Sequence, residues 1–370
     1  MSKPIIGRDE ECETFERVLS SRESEFVAIT GRRRIGKTYL VNQYFGSSLC
    51  FYLTGIQDKP QSVQLQAFAQ ELARRQNDIV PTPDNWLRAF DLLRTYLQSL
   101  KKGKKKVIFL DELPWMDTPK SGFLQKFAYF WNSWAAWTED IILIIAGSST
   151  SWIVKKIYND RGGLHNRVTK RIWLKPFTLK QTEQFLESKN IVMSRYEIVL
   201  LYMAMGGIPF YLNEVKKGES AAQTIQRLFF KDNGLLRNEF QNLYHAIFLK
   251  ADAHIRVIKV LAKHRYGLDR NELLKKAKIT NSGGASKILE ELVLTGYMEE
   301  MLPFGKRKNG LKYVLNDFYS MFYLSFVEKN TNQNWLSCFN TAAYKIWCGL
   351  TFERVCFMHL DGIKKALGIS

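Results

Sequence analysis

Phe26-Val-Ala-Ile-Thr-Gly-Arg-Arg-Arg-Ile-Gly-Lys-Thr38 is the stretch of sequence that decides the fold. Its apolar beginning, Phe26 to Ile29, predicts a buried strand, and the residues from Tyr39 to Tyr44 predict a helix. Between them, Gly31 to Thr38 matches the pattern G-x-x-x-x-G-K-T. A pattern of this kind between a strand and a helix has the context that a phosphate-binding loop requires. The stretch therefore predicts a nucleotide-binding α/β protein.

The chemistry expected of this loop follows from its backbone. Successive N–H groups and the positive end of the following helix form a concavity for anionic oxygens. Gly31 and Gly36 permit backbone angles that a side chain would block. We expect Lys37 to reach the β and γ phosphates of ATP, and Thr38 to bind Mg²⁺. The predicted nucleotide-binding residues of the loop are Gly31, Arg32, Arg33, Arg34, Ile35, Gly36, Lys37 and Thr38.

A second chemical signal is Val107-Ile-Phe-Leu-Asp111-Glu112, in which four apolar residues precede two carboxylates. Ligand sites in open parallel sheets lie at the carboxyl ends of the strands, where this pair is expected. Asp111 is predicted to hold Mg²⁺ through water, and Glu112 to act as the general base for the attacking water. The adjacent glutamate favours hydrolysis over simple nucleotide binding or phosphoryl transfer to a small molecule.

A hydroxyl group follows the predicted fourth strand, which runs from Ile141 to Ala146 and ends at Gly147-Ser148-Ser149. A hydroxyl at this strand end is placed to sense the γ phosphate, and Ser148 is the candidate. The alternative is an ordinary helix N-cap, because a helix is expected to follow. The two roles are compatible with each other.

Arginines between positions 158 and 175 are candidates for a finger that reaches a phosphate across a subunit boundary. Arg167 is the first candidate and Arg161 the second. A surface salt bridge is the alternative for both. A fifth strand is predicted at about Arg171 to Leu174.

The composition fits a folded protein of two or three domains that has an anionic partner. The chain has 370 residues, a formal net charge of +18 and a pI of about 9.6, which makes nucleic acid the first candidate partner. Five cysteines without C-x-x-C spacing indicate reduced thiols. The apolar run from Ile141 to Ala146 is too short to cross a bilayer, and no apolar signal region begins the sequence. We therefore expect a cytoplasmic protein without a membrane partner.

From Pro176 onwards the apolar pattern becomes helical. Helices are predicted over 179–188, 196–204 and 211–217, and together they would form a small helical lid. The turn Met205-Gly-Gly-Ile-Pro209 interrupts them. This turn is expected either to touch the nucleotide or only to redirect the chain.

Residues 250–316 have the pattern of a winged helix, a relative of the helix-turn-helix. The predicted elements are helices at 253–263, 270–277 and 282–294 and strands at 297–302 and 311–315. The segment holds 14 Lys or Arg against 7 Asp or Glu, which favours DNA over the alternative of a purely protein partner. We expect the third helix in the major groove and the hairpin on phosphates or in the minor groove. The predicted DNA-binding residues are Ser282, Ser286, Lys287, Lys306, Arg307 and Lys308.

Two further stretches have both a structural and a functional interpretation. The aromatic residues of 123–137 predict core packing, and a base-stacking platform is the alternative. The lysine run at 101–106 predicts a solvated loop, and a contact with the DNA backbone is the alternative.

The order of these motifs resembles the archaeal-type ATPase family of P-loop proteins, which is close to the signal-transducing AAA+ relatives. The pieces that carry the resemblance are Gly7-Arg-Asp-Glu10, Gly31 to Thr38, Phe109-Leu-Asp-Glu112, Gly147-Ser-Ser149, Arg167, Lys175-Pro-Phe177, Gly206-Gly-Ile-Pro209 and Asp317-Phe318. By this resemblance, Asp111 and Glu112 form the Walker B pair, and Ser148 looks like the sensor-1 hydroxyl. Arg167 looks like the family's arginine after the fourth strand, and Pro209 looks like part of the lid element that meets the nucleotide.

Many members of this family continue into a restriction-endonuclease-like domain. Leu350-Thr-Phe-Glu-Arg-Val355 and the residues from Gly362 to Gly368 look like the opening helix of that domain, with Glu353 as its first acidic residue. The Asp and the Glu-x-Lys pattern that would bind its metal do not follow. We therefore expect a truncated or lost nuclease domain and no DNA cleavage.

The expected organisation is a P-loop ATPase core with a parallel sheet at 1–178, a helical lid at 179–249, a winged-helix domain at 250–330 and the start of a nuclease-like domain at 331–370. The expected function is a Mg²⁺-dependent ATPase that acts as a nucleotide switch for DNA binding. ATP and Mg²⁺ are the expected cofactors. Double-stranded DNA is the expected partner. A second copy of the chain is a further expected partner if an arginine finger reaches a phosphate across a subunit boundary. The alternatives are a nucleotide-gated protein-interaction module with little turnover, and a small-molecule kinase.

Overall fold

The structure, a computed structural model, describes residues 4–101, 103–159, 162–248, 250–303, 310–328, 334–339 and 341–369. The chain divides into two compact units. The first consists of Met1–Arg32 and Gly36–Lys175, and the second of Arg33–Ile35 and Pro176–Ser370. The three residues at the tip of the phosphate-binding loop are thus grouped with the second unit.

A five-stranded parallel sheet forms the centre of the first unit. Its strands are β1 (Glu25–Gly31), β2 (Leu49–Thr54), β3 (Lys106–Asp111), β4 (Ile141–Ala146) and β5 (Lys170–Leu174). Every residue of β1, β3 and β4 is buried, as expected for central strands that are covered on both faces. The α/β fold class with a parallel sheet that the sequence predicted is confirmed.

The strand order is β2-β3-β4-β1-β5, so that β4 lies between the strand that leads into the phosphate loop and the strand that ends in the carboxylates. The pairs Ile29↔Ala146 and Leu110↔Ile145 bring the carboxyl ends of the three strands to one level. The residues that follow these strands therefore meet at one edge of the sheet. The sequence predicted the strands but not this order.

Six α-helices complete the described part of the first unit. They are α1 (Asp9–Ser20), α2 (Lys37–Phe45), α3 (Gln61–Gln76), α4 (Trp86–Ser99), α5 (Phe123–Ser133) and α6 (Thr150–Ile153). Most aromatic residues of α5 pack into the core, since Phe123, Phe127 and Trp131 are all buried, whereas Tyr129 is 60% exposed. Phe26 of β1 contacts two of these rings, at centroid distances of 5.8 Å to Phe127 and 5.0 Å to Trp131. The prediction of core packing is confirmed for the buried aromatic residues of 123–137 but not for Tyr129 and Trp137, which are largely exposed.

The second unit is helical, with one antiparallel hairpin. Its elements are α7 (Leu179–Ser188), α8 (Arg195–Met205), α9 (Pro209–Leu212), α10 (Ala221–Ile225), α11 (Glu239–His245), α12 (Ala251–Leu261), α13 (Arg270–Lys276), α14 (Gly283–Leu294), β6 (Met298–Met301), β7 (Lys312–Leu315), α15 (Phe318–Phe322), α16 (Ala342–Met358) and α17 (Leu360–Leu367). Short 3-10 turns in the first unit lie at Gly46–Ser48, Leu113–Met116 and Ala135–Trp137, and π-helical turns in the two units lie at Val154–Tyr158, Gln226–Phe230 and Tyr323–Val327. One apolar core extends through the second unit from α7 to α16.

Two helix predictions are wrong in their extent. The helix expected over 211–217 is the single turn α9, which starts at Pro209 and ends at Leu212; the chain then continues in turns to Gly218, whose φ is 84°. In the tail, the stretches 350–355 and 362–368 do not form the one helix expected of them, because α16 ends at Met358 and a separate helix, α17, runs from Leu360 to Leu367. Thr341 sets the start of α16, because its side chain accepts a hydrogen bond from Tyr344 N.

All five cysteines carry free thiols and are partly exposed. Among the described residues, no helix combines the length and the apolar character needed to span a membrane.

Candidate nucleotide and metal site

The phosphate-binding loop connects β1 to α2, and its conformation depends on glycine at Gly31. The φ of this residue is 140°, and a Cβ atom there would lie 2.5 Å from the carbonyl oxygen of Leu174 in β5. Gly36, with φ 92°, is the N-cap of α2. Both glycines occupy backbone regions that L side chains rarely adopt, which agrees with the reason given for them from the sequence.

Lys37 lies inside the loop. Its side chain is 6% exposed, and its ammonium group donates hydrogen bonds to the carbonyl oxygens of Gly31 at 3.0 Å and Arg32 at 2.9 Å. The loop backbone therefore folds around a positive charge. A buried ammonium whose bonds to these two carbonyl oxygens only partly compensate its charge is suited to binding an anion.

Thr38 and Asp111 come together although they are far apart in the sequence. The hydroxyl of Thr38 donates a hydrogen bond of 2.5 Å to Oδ2 of Asp111, and the backbone N–H of Glu112 donates to Oδ1 at 2.9 Å. Asp111 is only 2% exposed, and burial raises the pKa of its carboxyl, against the lowering effects of the Thr38 hydrogen bond and of Lys37. A buried carboxylate of this kind is stabilised when a cation binds to it.

The oxygens of Thr38 and Asp111 fit a Mg²⁺ ion. Mg²⁺ prefers oxygen ligands, and beside phosphates it needs only one or two from the protein, because phosphate oxygens and water supply the rest. Within the described ranges, no group of three or more His, Cys, Asp or Glu forms an all-protein metal site. The donor set therefore suits an ion that arrives with a nucleotide.

Glu112 has an unusual backbone and a side chain held by a neighbouring strand. Its φ is 46°, which is uncommon for a residue with a side chain. Its Oε2 accepts hydrogen bonds from Ser148 N at 3.1 Å and from Ser148 Oγ at 2.9 Å. Ser149, and not Ser148, is the residue at the N-cap of α6, and it makes no capping bond with its side chain. The hydroxyl of Ser148 is thus directed at the second carboxylate and not at a helix end.

Arg34, which is grouped with the second unit, contacts other residues of that unit. The φ of Arg34 is 68°, its Nε lies 2.6 Å from Oε1 of Glu239, and its Nη2 donates to Oε2 at 2.8 Å. The guanidinium carbon lies 4.1 Å from the centroid of the Phe210 ring. Pro209 is half-buried, and the next residue, Phe210, donates its N–H to the carbonyl oxygen of Arg34 at 3.4 Å. The predicted turn at Pro209 is therefore followed directly by a residue that contacts Arg34.

Within the described part of the chain, no hydrogen bond or ion pair joins either candidate for the arginine finger to Lys37, Thr38, Asp111 or Glu112. Arg167 is exposed in the coil before β5, and its N–H donates to the carbonyl oxygen of Leu164 at 3.1 Å. Arg161 lies outside the described residues. The role of a finger stays a prediction for both.

The predicted DNA-binding residues of the third helix lie at the start of α14. Ser282 is the N-cap and accepts a hydrogen bond from Ala285 N, and Lys287 is exposed. Ser286 accepts a hydrogen bond of 2.9 Å from Arg270, which also donates to Asn281 at 3.0 Å. The hairpin residues Lys306, Arg307 and Lys308 lie outside the described residues.

Sequence reasoning missed the residues that hold Arg34. Glu239 and Phe210 belong to no motif, and each is far from the loop in the sequence, so that no local pattern indicates their role. The one available signal is the run of three arginines in the loop, of which Arg34 has to find a counter-charge or solvent.

Comparison with known families supports the interpretation of the loop. Residues 5–215, more than half of the chain, match a family model described as an ATPase domain predominantly from Archaea. An uncharacterised protein of Methanocaldococcus jannaschii is 26% identical over 363 residues, which is 95% of this chain and 76% of the relative.

Two of the solved structures with a similar fold come from archaeal proteins. The Walker-type ATPase PABY2304 of Pyrococcus abyssi is similar with a TM-score of 0.65 at 17% identity, over 87% of this chain and 96% of that one. The ORC2 protein of Aeropyrum pernix, solved in ADPNP–ADP complexes, is similar with a TM-score of 0.53 at 11% identity, over 88% of this chain and 94% of that one. At these identities the likeness concerns the fold.

Proposed function

This chain belongs to the family of ATPase domains found predominantly in Archaea, and from this premise we propose that it is a Mg²⁺-dependent ATP hydrolase whose nucleotide state controls DNA binding. The observation that carries the proposal is the carboxylate pair at the edge of the sheet. Asp111 is bonded to Thr38 of the phosphate loop, and Glu112 is bonded to Ser148. The two carboxylates have different partners and are therefore suited to different roles.

Asp111 and Thr38 are the residues that would hold Mg²⁺. When bound there, the ion supplies positive charge to the phosphate oxygens. Lys37 adds a second positive charge from inside the loop, where burial makes its interaction with a phosphate stronger than in water. Together these groups would neutralise the charge that makes phosphates resist attack.

Glu112 is the residue that would orient and deprotonate the attacking water. A general base has to lie within hydrogen-bonding distance of the water at a fixed position. Ser148 supplies that fixation, because both its N–H and its hydroxyl bind Oε2 of Glu112. Ser148 thereby acts on the base, in addition to the sensing role expected from the sequence.

The DNA part of the proposal rests on the segment from α12 to β7. Three helices precede an antiparallel hairpin in the order of a winged helix. Four lysines around the second and third of these helices are exposed, namely Lys275, Lys276, Lys278 and Lys287. Exposed cations beside a recognition helix are suited to binding phosphates.

Phosphate release from ATP tests the proposal. It is measured for the wild type, Lys37→Ala and Glu112→Gln, each with and without duplex DNA, and with Mg²⁺ either present or chelated. We expect release by the wild type that needs Mg²⁺, that DNA raises, and that both variants lose.

The alternative of a nucleotide-gated protein-interaction module predicts another result. ATP would then bind tightly, Lys37→Ala alone would abolish the binding, and no phosphate would be released. Duplex DNA would in that case bind without the steep salt dependence that neutralised phosphates produce.

A further inference from the structure

Arg34, at the tip of the phosphate-binding loop, adopts a backbone conformation that needs outside support. Its φ of 68° lies in the left-handed region, which costs energy for a residue with a side chain and persists only where the surroundings fix it. The guanidinium group faces both oxygens of Glu239, at 2.6 Å and 2.8 Å. The ring of Phe210 covers the guanidinium, and the Phe210 N–H donates to the Arg34 carbonyl oxygen. Side chain and backbone of Arg34 are thus both held.

Glu239 is itself fixed in position. It is the first residue of α11, its side chain is 3% exposed, and the hydroxyl of Tyr211 donates to its Oε1 at 3.3 Å. Tyr211 is buried against Tyr319, with ring centroids 5.4 Å apart, and the Tyr319 hydroxyl donates to the carbonyl oxygen of Leu236. A carboxylate with so little freedom defines one place for the guanidinium that binds it.

We propose that Glu239 is a positioning residue for ATP binding, which acts through Arg34 to hold the loop tip Arg33–Ile35 in the conformation that accepts phosphates. This inference rests on the proposed ATP-binding function of the loop. A phosphate loop binds through backbone N–H groups, so its affinity depends on the fraction of molecules whose loop has the right backbone angles. If loss of the Glu239 contact lowers that fraction to about one tenth, the apparent Kd for ATP rises about tenfold.

The chain offers a matched control for this ion pair. Arg227 and Glu219 form another bidentate ion pair in the second unit. Arg227 Nε lies 2.8 Å from Oε1 of Glu219, and Arg227 Nη2 lies 2.6 Å from Oε2. Glu219→Gln removes the same charge from the same kind of pair but leaves Arg34 untouched. A general effect of weakening the second unit would appear in both variants, whereas positioning of the loop would appear only in Glu239→Gln.

The experiment measures the Kd for ATP, kcat for phosphate release and the melting temperature of the wild type, Lys37→Ala, Glu239→Gln, Arg34→Lys and Glu219→Gln. We expect Glu239→Gln to raise Kd and KM about tenfold and to change kcat by less than about twofold, because Lys37, Asp111 and Glu112 are unchanged. Arg34→Lys keeps the positive charge but cannot pair with the carboxylate in a bidentate way, so its Kd for ATP should lie between those of the wild type and Glu239→Gln. Glu219→Gln should bind ATP like the wild type.

Three results would overturn the inference. One is a wild-type Kd in folded Glu239→Gln, and another is an equal rise of Kd in Glu219→Gln. If Glu239→Gln shows no cooperative melting, Arg34→Lys and Arg34→Gln test the pair instead, because Arg34 is more exposed than Glu239. Wild-type affinity for ATP in folded Arg34→Gln is the third result that would overturn the inference. The two failures can be distinguished. If the wild type shows no ATP binding, or binding that Lys37→Ala leaves intact, the proposed function is wrong and the inference falls with it. If the wild type binds ATP normally and Glu239→Gln binds it equally well, only the inference is wrong.

Discussion

The hydroxyl of Ser148 donates a hydrogen bond of 2.9 Å to Oε2 of Glu112, and the N–H of Ser148 donates to the same oxygen at 3.1 Å. The contact joins the end of β4 to the end of β3, and the register of the two strands brings these ends together. Close packing supports the backbone of Glu112, since a Cβ atom at Gly55 would lie 2.4 Å from the Glu112 carbonyl oxygen. The proposed general base is therefore held at its side chain and confined at its backbone.

Replacing Ser148 by alanine should lower kcat about tenfold and leave KM for ATP nearly unchanged. The substitution removes one hydrogen bond to a charged group, worth roughly 1.5 kcal/mol, which is about a factor of ten in rate. Steady-state phosphate release measures both constants. Ser149→Ala is the control, because Ser149 is the neighbouring hydroxyl and makes no capping bond. A Ser148→Ala enzyme with wild-type kcat would show that the position of Glu112 does not depend on this hydroxyl.

Asp111→Asn should abolish ATP hydrolysis but stabilise the folded protein by on the order of 1 kcal/mol at neutral pH. Burial raises the pKa of the Asp111 carboxyl in the folded state, so its ionisation costs stability. The cost is complete above the folded pKa, decreases as pH falls through the folded pKa, and is gone below the unfolded pKa. The gain from asparagine should therefore shrink on acidification. Chemical denaturation between about pH 7.5 and pH 5 measures it.

A matched carboxylate in the first unit tests the reason for this gain. Asp140 forms an ion pair of 2.9 Å with Lys106, whose side chain is buried. Asp140→Asn removes the partner of a buried ammonium and should therefore destabilise the protein. Equal effects of the two substitutions would contradict the assignment of the Asp111 effect to burial of its charge.

The sequence predicted the parts of the catalytic site but not their arrangement. Glycine and lysine spacing identifies the phosphate loop because the chemistry of that loop is local, and the same holds for Asp111 and Glu112 at the end of an apolar strand. Periodicity gives strands without their order in the sheet, so the position of β4 between β1 and β3, and with it the bond from Ser148 to Glu112, came only from the structure. Arg34 and Glu239 lie 205 positions apart, and long-range pairing of this kind leaves no pattern in a single sequence.

Replacing Lys275, Lys276 and Lys278 together by glutamine should weaken duplex DNA binding and reduce its salt dependence. Each lysine that neutralises a phosphate contributes roughly 0.9 to the slope of log K against log salt, so the loss of three such contacts would reduce the slope by about 3. Fluorescence anisotropy at a series of salt concentrations measures it. The double variant Lys216→Gln, Lys217→Gln removes exposed lysines of the second unit that lie outside the helix–hairpin segment, and it should keep the wild-type slope. Unchanged slopes in the triple variant would place the DNA contact elsewhere.

The pair of Arg34 and Glu239 should be asymmetric in its effect on stability. Arg34→Met leaves the carboxylate of Glu239 buried without its cation, whereas Glu239→Gln leaves a guanidinium that is partly exposed. We expect Arg34→Met to cost roughly 3 kcal/mol and Glu239→Gln about 1 kcal/mol in the free energy of unfolding. The double variant should resemble Glu239→Gln, because the charge that needs a partner is then absent.

The pH dependence of this asymmetry follows from the carboxyl group. Burial raises the pKa of Glu239 and Arg34 lowers it, so that Arg34→Met moves the pKa of Glu239 further upward. Ionised Glu239 then costs the folded state stability in full above the folded pKa, and protonation removes the cost as pH falls from the folded pKa to the unfolded pKa. The penalty of Arg34→Met should therefore be largest at neutral pH and shrink towards about pH 5. The penalty of Glu239→Gln should instead grow slightly over this range, because the pKa of Glu239 is already raised in the wild type and acidification relieves the wild type of that cost. A stability penalty of Arg34→Met that grows on acidification would mean that the ion pair and not the buried charge dominates at this position. A larger loss of stability in Glu239→Gln than in Arg34→Met would mean the same.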